Sequence, residues 1–141
     1  MIVDTSALIA VLQAEPEAEQ ILSALSATPR PLISAATLVE ATIIADRGGD
    51  AVRSARFDDL VDALDLDVVP FTAAHAERAR RAYREYGRGS GHPARLNLGD
   101  CFAYALAAER RMPLLFVGDD FARTDLASVL PPDPGTTPPA S

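Results

Sequence analysis

The chain has 141 residues, a formal net charge of −7 and an apolar fraction of 48%. Its length suits one domain with its own core, and its apolar runs are too short to cross a bilayer. We recognise no signal peptide. The one cysteine, Cys101, excludes an internal disulfide framework and a cysteine-rich zinc site. We therefore expect a reducing, cytoplasmic environment and a buried Cys101.

The first half of the chain alternates short apolar runs with helical patterns. We predict a strand at 1–3, helices at 5–13 and 16–25, a strand at 32–33, and helices at 35–46 and 51–64. Ser34 and Asp50 are the expected N-caps of the last two helices. The helix over 35–46 is apolar almost all round, which predicts that it is buried.

The second half continues the alternation. We predict a strand at 66–71, a helix at 73–86 capped by Thr72, a helix at 98–111, a strand at 113–117 and a short last element at 125–130. The predicted domain covers 1–130, and five prolines among residues 131–141 predict a disordered tail. Alternating strands and helices indicate an α/β fold, with a parallel sheet of four to five strands between two layers of helices.

Carboxylates recur where apolar segments end or pass. Asp4 ends the first strand, Glu40 lies within an apolar helix, Asp100 opens another, and Asp119 and Asp120 follow the last strand. Taken singly, Asp4 could be a helix N-cap, Asp100 a first-turn acid and the last pair a polar turn. Together they can converge at one edge of a parallel sheet, where their mutual repulsion calls for a cation. An all-oxygen site selects magnesium, with manganese as a substitute.

All basic residues of the chain are arginines, and six of them are concentrated between residues 78 and 95. This cluster is either a solvated helix face followed by a loop or a phosphate-binding segment, because guanidinium groups bind phosphate bidentately. Arg84, Arg88 and Arg95 are the candidate substrate contacts. His75 and His92 are too scattered for a histidine metal site, and we expect both at the surface.

Four stretches resemble the PIN-domain family, and within it the VapC-type toxin ribonucleases of toxin–antitoxin pairs. They are Ile2 to Leu8, Ser34 to Glu40, Leu96 to Ala107 and Leu114 to Phe121. The resemblance implies a PIN-like three-layer sandwich with catalytic and metal-binding acids at Asp4, Glu40 and Asp100. The family's fourth acid would fall on Gly118, so we assign Asp119 to that role, with Asp120 as the alternate.

The resemblance further implies a Mg²⁺-dependent endoribonuclease, in which a metal-activated water hydrolyses RNA. Ser6 would assist at the substrate or, with Thr5, orient Asp4. A cognate antitoxin, an RNA substrate and a homodimer are the implied partners. One alternative is a haloacid-dehalogenase-like phosphatase with Asp4 as nucleophile, although Ser6 occupies that family's second acid position and the chain has no lysine. Another is a non-catalytic interaction module.

Overall fold

The computed structural model describes residues 1–131. The predicted tail therefore lies, apart from Pro131, outside the described residues. The elements in chain order are β1 (Ile2–Val3), α1 (Thr5–Leu12), α2 (Ala18–Ser26), β2 (Leu32–Ser34), α3 (Ala35–Asp46), α4 (Ala51–Leu64), β3 (Asp67–Val69), α5 (Ala73–Tyr86), α6 (Leu98–Arg110), β4 (Leu114–Leu115) and a 3₁₀ turn (Phe121–Arg123).

The sheet is parallel, and its strand order is β3-β2-β1-β4. An isolated parallel bridge between Leu114 and Ser128 extends its β4 edge. This topology confirms the predicted α/β fold with a parallel sheet of four to five strands. Because parallel strands share one direction, the residues that follow β1, β2 and β4 meet at the same edge of the sheet.

Side chains of the central strands alternate between two buried clusters, as the period of a strand requires. Ile2 and Leu114 pack into the cluster formed with α5 and α6. Val3, Ile33 and Leu115 pack into the cluster formed with α1 to α4. The sheet therefore forms the middle layer of three, and β1 is covered on both sides.

Several predicted boundaries differ from those observed. The second helix begins at Ala18 instead of residue 16, and β3 and β4 are shorter than predicted. No regular element covers 125–130. The 3₁₀ turn precedes that segment, and backbone bonds join Leu114 N to Ala127 O and Val129 N to Leu114 O. This segment thus pairs with β4 through a single bridge, too short to give a periodic pattern.

Two burial predictions were wrong. His75 was expected at the surface but is 1% exposed, and its Nε2 lies 2.8 Å from Glu109 Oε1. This contact joins the start of α5 to the end of α6, so the two helices are antiparallel. In α3, Val39 and Ile43 are 59% and 56% exposed, because part of that apolar helix faces away from the sheet. Within residues 1–131, no helix is long and apolar enough to span a membrane.

Candidate active site

Asp4 lies at the carboxyl end of β1 and caps α1. Its Oδ2 accepts hydrogen bonds from Ser6 N at 3.0 Å and from Ser6 Oγ at 2.6 Å. Ser6 Oγ in turn accepts a bond from Val117 N at 3.0 Å, beyond the end of β4. The Ser6 hydroxyl therefore fixes Asp4 and ties the ends of β1 and β4 together, which makes Ser6 a positioning residue in this structure.

The other oxygen of Asp4 has a different environment. Asp4 is only 2% exposed, and its Oδ1 is buried with no hydrogen-bond partner among the described residues. Burial, together with the nearby charge of Glu40, raises the pKa of Asp4 to about 6. A buried acceptor without a donor is unfavourable, so this oxygen is suited to receive a cation.

Glu40 reaches the same edge from the middle of α3. Its Oε1 accepts a hydrogen bond of 2.6 Å from the buried hydroxyl of Thr5. Its other carboxylate oxygen lies against Gly99 at the start of α6, where a Cβ atom would overlap it. Thr5 therefore orients Glu40, not Asp4 as expected, and the absence of a side chain at residue 99 leaves room for the carboxylate.

Asp100 is held at the first turn of α6 by a capping box. Its Oδ2 accepts from Asn97 N at 3.0 Å, and Asp100 N donates to Asn97 Oδ1 at 2.8 Å. Burial, with the charges of Asp4, Asp120 and Glu40, raises the pKa of Asp100 to about 7, against the lowering effect of the Asn97 bond. The Glu40 carboxylate lies against Gly99, the residue before Asp100, and the charges of Asp4, Glu40 and Asp120 act on Asp100. We call these four acids the acidic site (Asp4, Glu40, Asp100 and Asp120).

Asp119 and Asp120 follow a turn at Gly118, whose φ of +101° favours glycine over any residue with a side chain. The charge of Asp120 acts on Asp100, and the pKa of Asp120 is itself raised mainly by burial. The charge of Asp119 also raises the pKa of Asp120. The turn therefore brings the alternate candidate, Asp120, to Asp100.

The three candidate arginines differ in their electrostatic effect on the acids. The charges of Arg88 and Arg95 lower the pKa of Asp120, against the raising effect of its burial. Arg84 lies on the exposed last turn of α5. Two of the three predicted substrate contacts thus act electrostatically on the acidic site.

Cys101 is fully buried, as predicted. Burial and the adjacent charge of Asp100 raise the pKa of its thiol to about 12, so the thiol stays protonated at neutral pH. It packs in the core cluster formed with α5 and α6.

The donor set of the acidic site fits a hard cation such as Mg²⁺. The unpartnered Asp4 Oδ1 and the mutual repulsion of the acids both favour a positive charge among them. Among residues 1–131, however, no three acidic, histidine or cysteine side chains already form a group that could hold a metal ion. A bound ion would therefore require the carboxylates to turn toward one another.

The sequence did not indicate a role for Gly99 or Asn97, although both belong to the stretch from Leu96 to Ala107 that contains Asp100. A glycine in the first turn of a helix, directly before an acid, was the available signal. It marks a close approach by another group, here the Glu40 carboxylate.

Comparisons with known proteins agree with this geometry. Residues 1–126 match the PIN domain family. The chain is 46% identical over 130 residues to Ribonuclease VapC28 of Mycobacterium tuberculosis, covering 92% of this chain and 98% of that protein. It is 47% identical over 126 residues to Ribonuclease VapC42 of the same species, covering 89% and 96%.

Solved structures show the same fold. The crystal structure of Mycobacterium tuberculosis VapC20, described as a sarcin–ricin loop cleaving toxin, superposes with a TM-score of 0.71 at 18% identity, covering 92% of this chain and 98% of that one. A toxin–antitoxin complex from Klebsiella pneumoniae gives a TM-score of 0.64 at 25% identity, covering 86% and 89%. From the matched family, the relatives and the arrangement of acids, we conclude that this chain belongs to the PIN-domain family, in its VapC-type group.

Proposed function

We propose that this protein is a Mg²⁺-dependent endoribonuclease that acts in the cytoplasm as the toxin of a toxin–antitoxin pair. One observation carries the proposal: carboxylates from β1, α3 and α6 act on one another at the carboxyl edge of the sheet. Two relatives that share 46% and 47% of their residues with this chain are named ribonucleases, which supports the reaction class. The toxin–antitoxin complex among the structural neighbours supports the biological setting.

We assign metal binding to the acidic site. Asp4 and Asp100 are the principal ligands, with manganese as a substitute for magnesium, and Glu40 is oriented for this role by Thr5. For the fourth acid we favour Asp120 over Asp119, because the charge of Asp120 acts on Asp100. When bound, a divalent ion lowers the pKa of a coordinated water and polarises a phosphate oxygen.

The substrate would be held by arginines at the rim. Arg88 and Arg95 lie close enough to Asp120 to alter its pKa, so a phosphate bound to them would stand next to the acids. Arg84 would extend this contact from the last turn of α5. Since the whole chain carries a net charge of −7, binding of RNA depends on this local concentration of arginine, and affinity should fall with salt.

The same acids would receive the antitoxin. A segment of that partner carrying an arginine would satisfy the carboxylates and exclude the substrate, and the toxin is expected to form a homodimer. These proposals extend the family resemblance to this chain.

The test is cleavage of a structured RNA by the wild type, Asp4→Asn and Asp100→Asn. Asp58→Asn is the matched control, because Asp58 is an exposed acid on α4. We expect a loss of at least about a hundredfold in both site variants, since a ligand of the metal is removed. EDTA should abolish activity and added Mn²⁺ should restore it. Unchanged cleavage in either site variant, or full activity in EDTA, contradicts the proposal.

Two companion measurements sharpen the assignment. Asp120→Asn should impair cleavage more than Asp119→Asn, and the reverse order would return the fourth role to Asp119. Beryllofluoride should leave no trapped complex at Asp4, because the chain has no lysine to bind the phosphate-like group and Ser6 occupies the second acid position of that family. A stable beryllofluoride adduct would favour the phosphatase alternative instead.

A further inference from the structure

A second polar cavity lies along α6, away from the acidic site. It has a volume of about 550 Å³ and is bounded by α5, the second half of α6 and the segment that pairs with β4. Three of its lining residues are arginines: Arg78 and Arg81 on α5, and Arg111 at the end of α6. Positions 78 and 81 are three apart, so their side chains leave the same face of α5.

The cavity also holds two acids. Asp125 Oδ1 accepts a hydrogen bond of 2.6 Å from the Tyr104 hydroxyl, and Glu85 is exposed on α5. Within residues 1–131, no ion pair joins the three arginines to Glu85 or Asp125. Nearby, Glu109 is paired with His75, although the charge of Arg78 also reaches it. The cavity thus presents three guanidinium groups against two carboxylates, a net positive charge that suits an anion.

The cavity and the acidic site share one face of α6. Asp100 belongs to the acidic site, whereas Tyr104, Ala107, Ala108 and Arg111 line the cavity. Their spacing of four, three, one and three residues keeps them on a single helical stripe. At 1.5 Å per residue, Arg111 lies about 16 Å along the helix axis from Asp100. This separation is within the span of a few nucleotides, although Ala107 itself is buried and the strand would pass over the more exposed positions.

We propose that the cavity lined by Arg78, Arg81 and Arg111 is a second phosphate-binding site, which holds the backbone of single-stranded RNA while another part of the strand lies at the acidic site. This inference rests on the proposed function, because it names where the substrate extends. The guanidinium groups bind phosphate oxygens bidentately, and the surrounding apolar wall, including Met112 and Leu126, accommodates part of a nucleoside.

The experiment compares two triple variants with the same change in charge. The cavity triple is Arg78→Gln, Arg81→Gln and Arg111→Gln. The control triple is Arg30→Gln, Arg47→Gln and Arg56→Gln, which replaces exposed arginines outside the cavity. Both are made in the Asp4→Asn background, so that the RNA is not cleaved during binding. Fluorescence anisotropy then measures the affinity for a labelled single-stranded RNA of about 12 nucleotides at several salt concentrations, and circular dichroism verifies folding.

We expect the cavity triple to bind at least tenfold more weakly, with the slope of log affinity against log salt reduced by about 2 for three lost contacts. The control triple should bind like its parent. A cavity triple with lysines, which keep the charge but not the bidentate geometry, should fall between the two. In the active background, the loss of kcat/KM should be about tenfold larger for the long RNA than for a trinucleotide that cannot reach the cavity.

Equal affinities of the cavity and control triples would overturn the proposal, as would equal losses on the long and short RNAs. An acidic peptide such as oligoglutamate tests a protein ligand: loss of peptide binding with retained RNA binding in the cavity triple would also overturn it. Failure of the wild type to cleave any RNA would count against the proposed function alone, because anisotropy decides the role of the cavity without cleavage.

Discussion

Helix α6 carries a carboxylate near each end, and the two carboxylates have opposite surroundings. At its start, Asp100 is buried among Asp4, Asp120 and Glu40, which raises its pKa to about 7. Near its end, Glu109 accepts a hydrogen bond from His75, which lowers its pKa. The first carboxylate is repelled by its neighbours and the second is stabilised by its partner.

This contrast separates a functional site from a structural contact. The contact between His75 and Glu109 joins α5 to α6, so it contributes to a fixed arrangement of the fold. In the acidic site the carboxylates repel one another and lack a neutralising partner. Such an unfavourable arrangement is typical of sites that bind a ligand. A carboxylate therefore serves a ligand site at one end of α6 and a contact between helices at the other end.

The largest effect is expected for Gly99→Ala, which should damage the acidic site at the start of α6 and leave the contact at its end unchanged. The new methyl group overlaps the Glu40 carboxylate, so that either the side chain or α6 must shift. We expect RNA cleavage to fall by about a hundredfold, because catalytic groups are sensitive to small displacements. Thermal unfolding and cleavage assays provide the measurements.

Glu40→Ala supplies the matched control for Gly99→Ala. Once the carboxylate is removed, the added methyl should cost little further stability, so the double variant should melt near Glu40→Ala. Independent, additive losses of stability in the two single variants would show that residue 99 does not constrain Glu40.

A smaller effect is expected in the pH dependence of metal binding. Asp100 and Asp4, with pKa values of about 7 and about 6, must lose their protons before they can bind a cation. Affinity for Mn²⁺ should therefore fall as the pH drops from 8 to 5, by roughly tenfold per unit for each proton taken up. Titration calorimetry measures this directly. Asp100→Asn should lack the step nearest pH 7, and a pH-independent affinity in the wild type would refute the link.

The smallest effects concern stability in EDTA, where the two ends of α6 should respond with opposite signs. Asp100 has a folded pKa above its unfolded value, so its stabilisation is complete below about pH 4 and is lost as the pH rises through about 7. Asp100→Asn should therefore raise the melting temperature by a few degrees at pH 7.5 and change it little at pH 4.

Glu109 has a lowered pKa, so its contribution is present at neutral pH and is lost as the pH falls through that lowered value. Glu109→Gln should thus lower the melting temperature at pH 7.5. If Asp100→Asn and Glu109→Gln shifted the melting temperature in the same direction at pH 7.5, the proposed difference between the two ends of α6 would be wrong.

The sequence located the acids that follow or interrupt apolar runs, because Asp4, Glu40 and Asp100 stand out against buried neighbours. It assigned the fourth acid to Asp119 with Asp120 as the alternate, although which of the two reaches Asp100 depends on the turn that begins at Gly118. It also wrongly predicted an exposed His75, because this residue lies on an arginine-rich helix and its partner, Glu109, is on another helix. Local patterns reveal which segments are buried, whereas contacts between distant positions, such as Glu40 against Gly99, require the packed structure.

The shared hydroxyl of Ser6 has a mechanical consequence. It donates to Asp4 and accepts from the backbone of Val117, so the turn beyond β4 cannot move without disturbing the carboxylate at the end of β1. A nucleic acid or a protein that displaces this turn on binding would therefore also shift the Asp4 carboxylate at the end of β1. Loss of this hydroxyl would remove that connection and leave the backbone pairing of β1 with β4 in place, so its effect should be confined to the carboxylate and the turn.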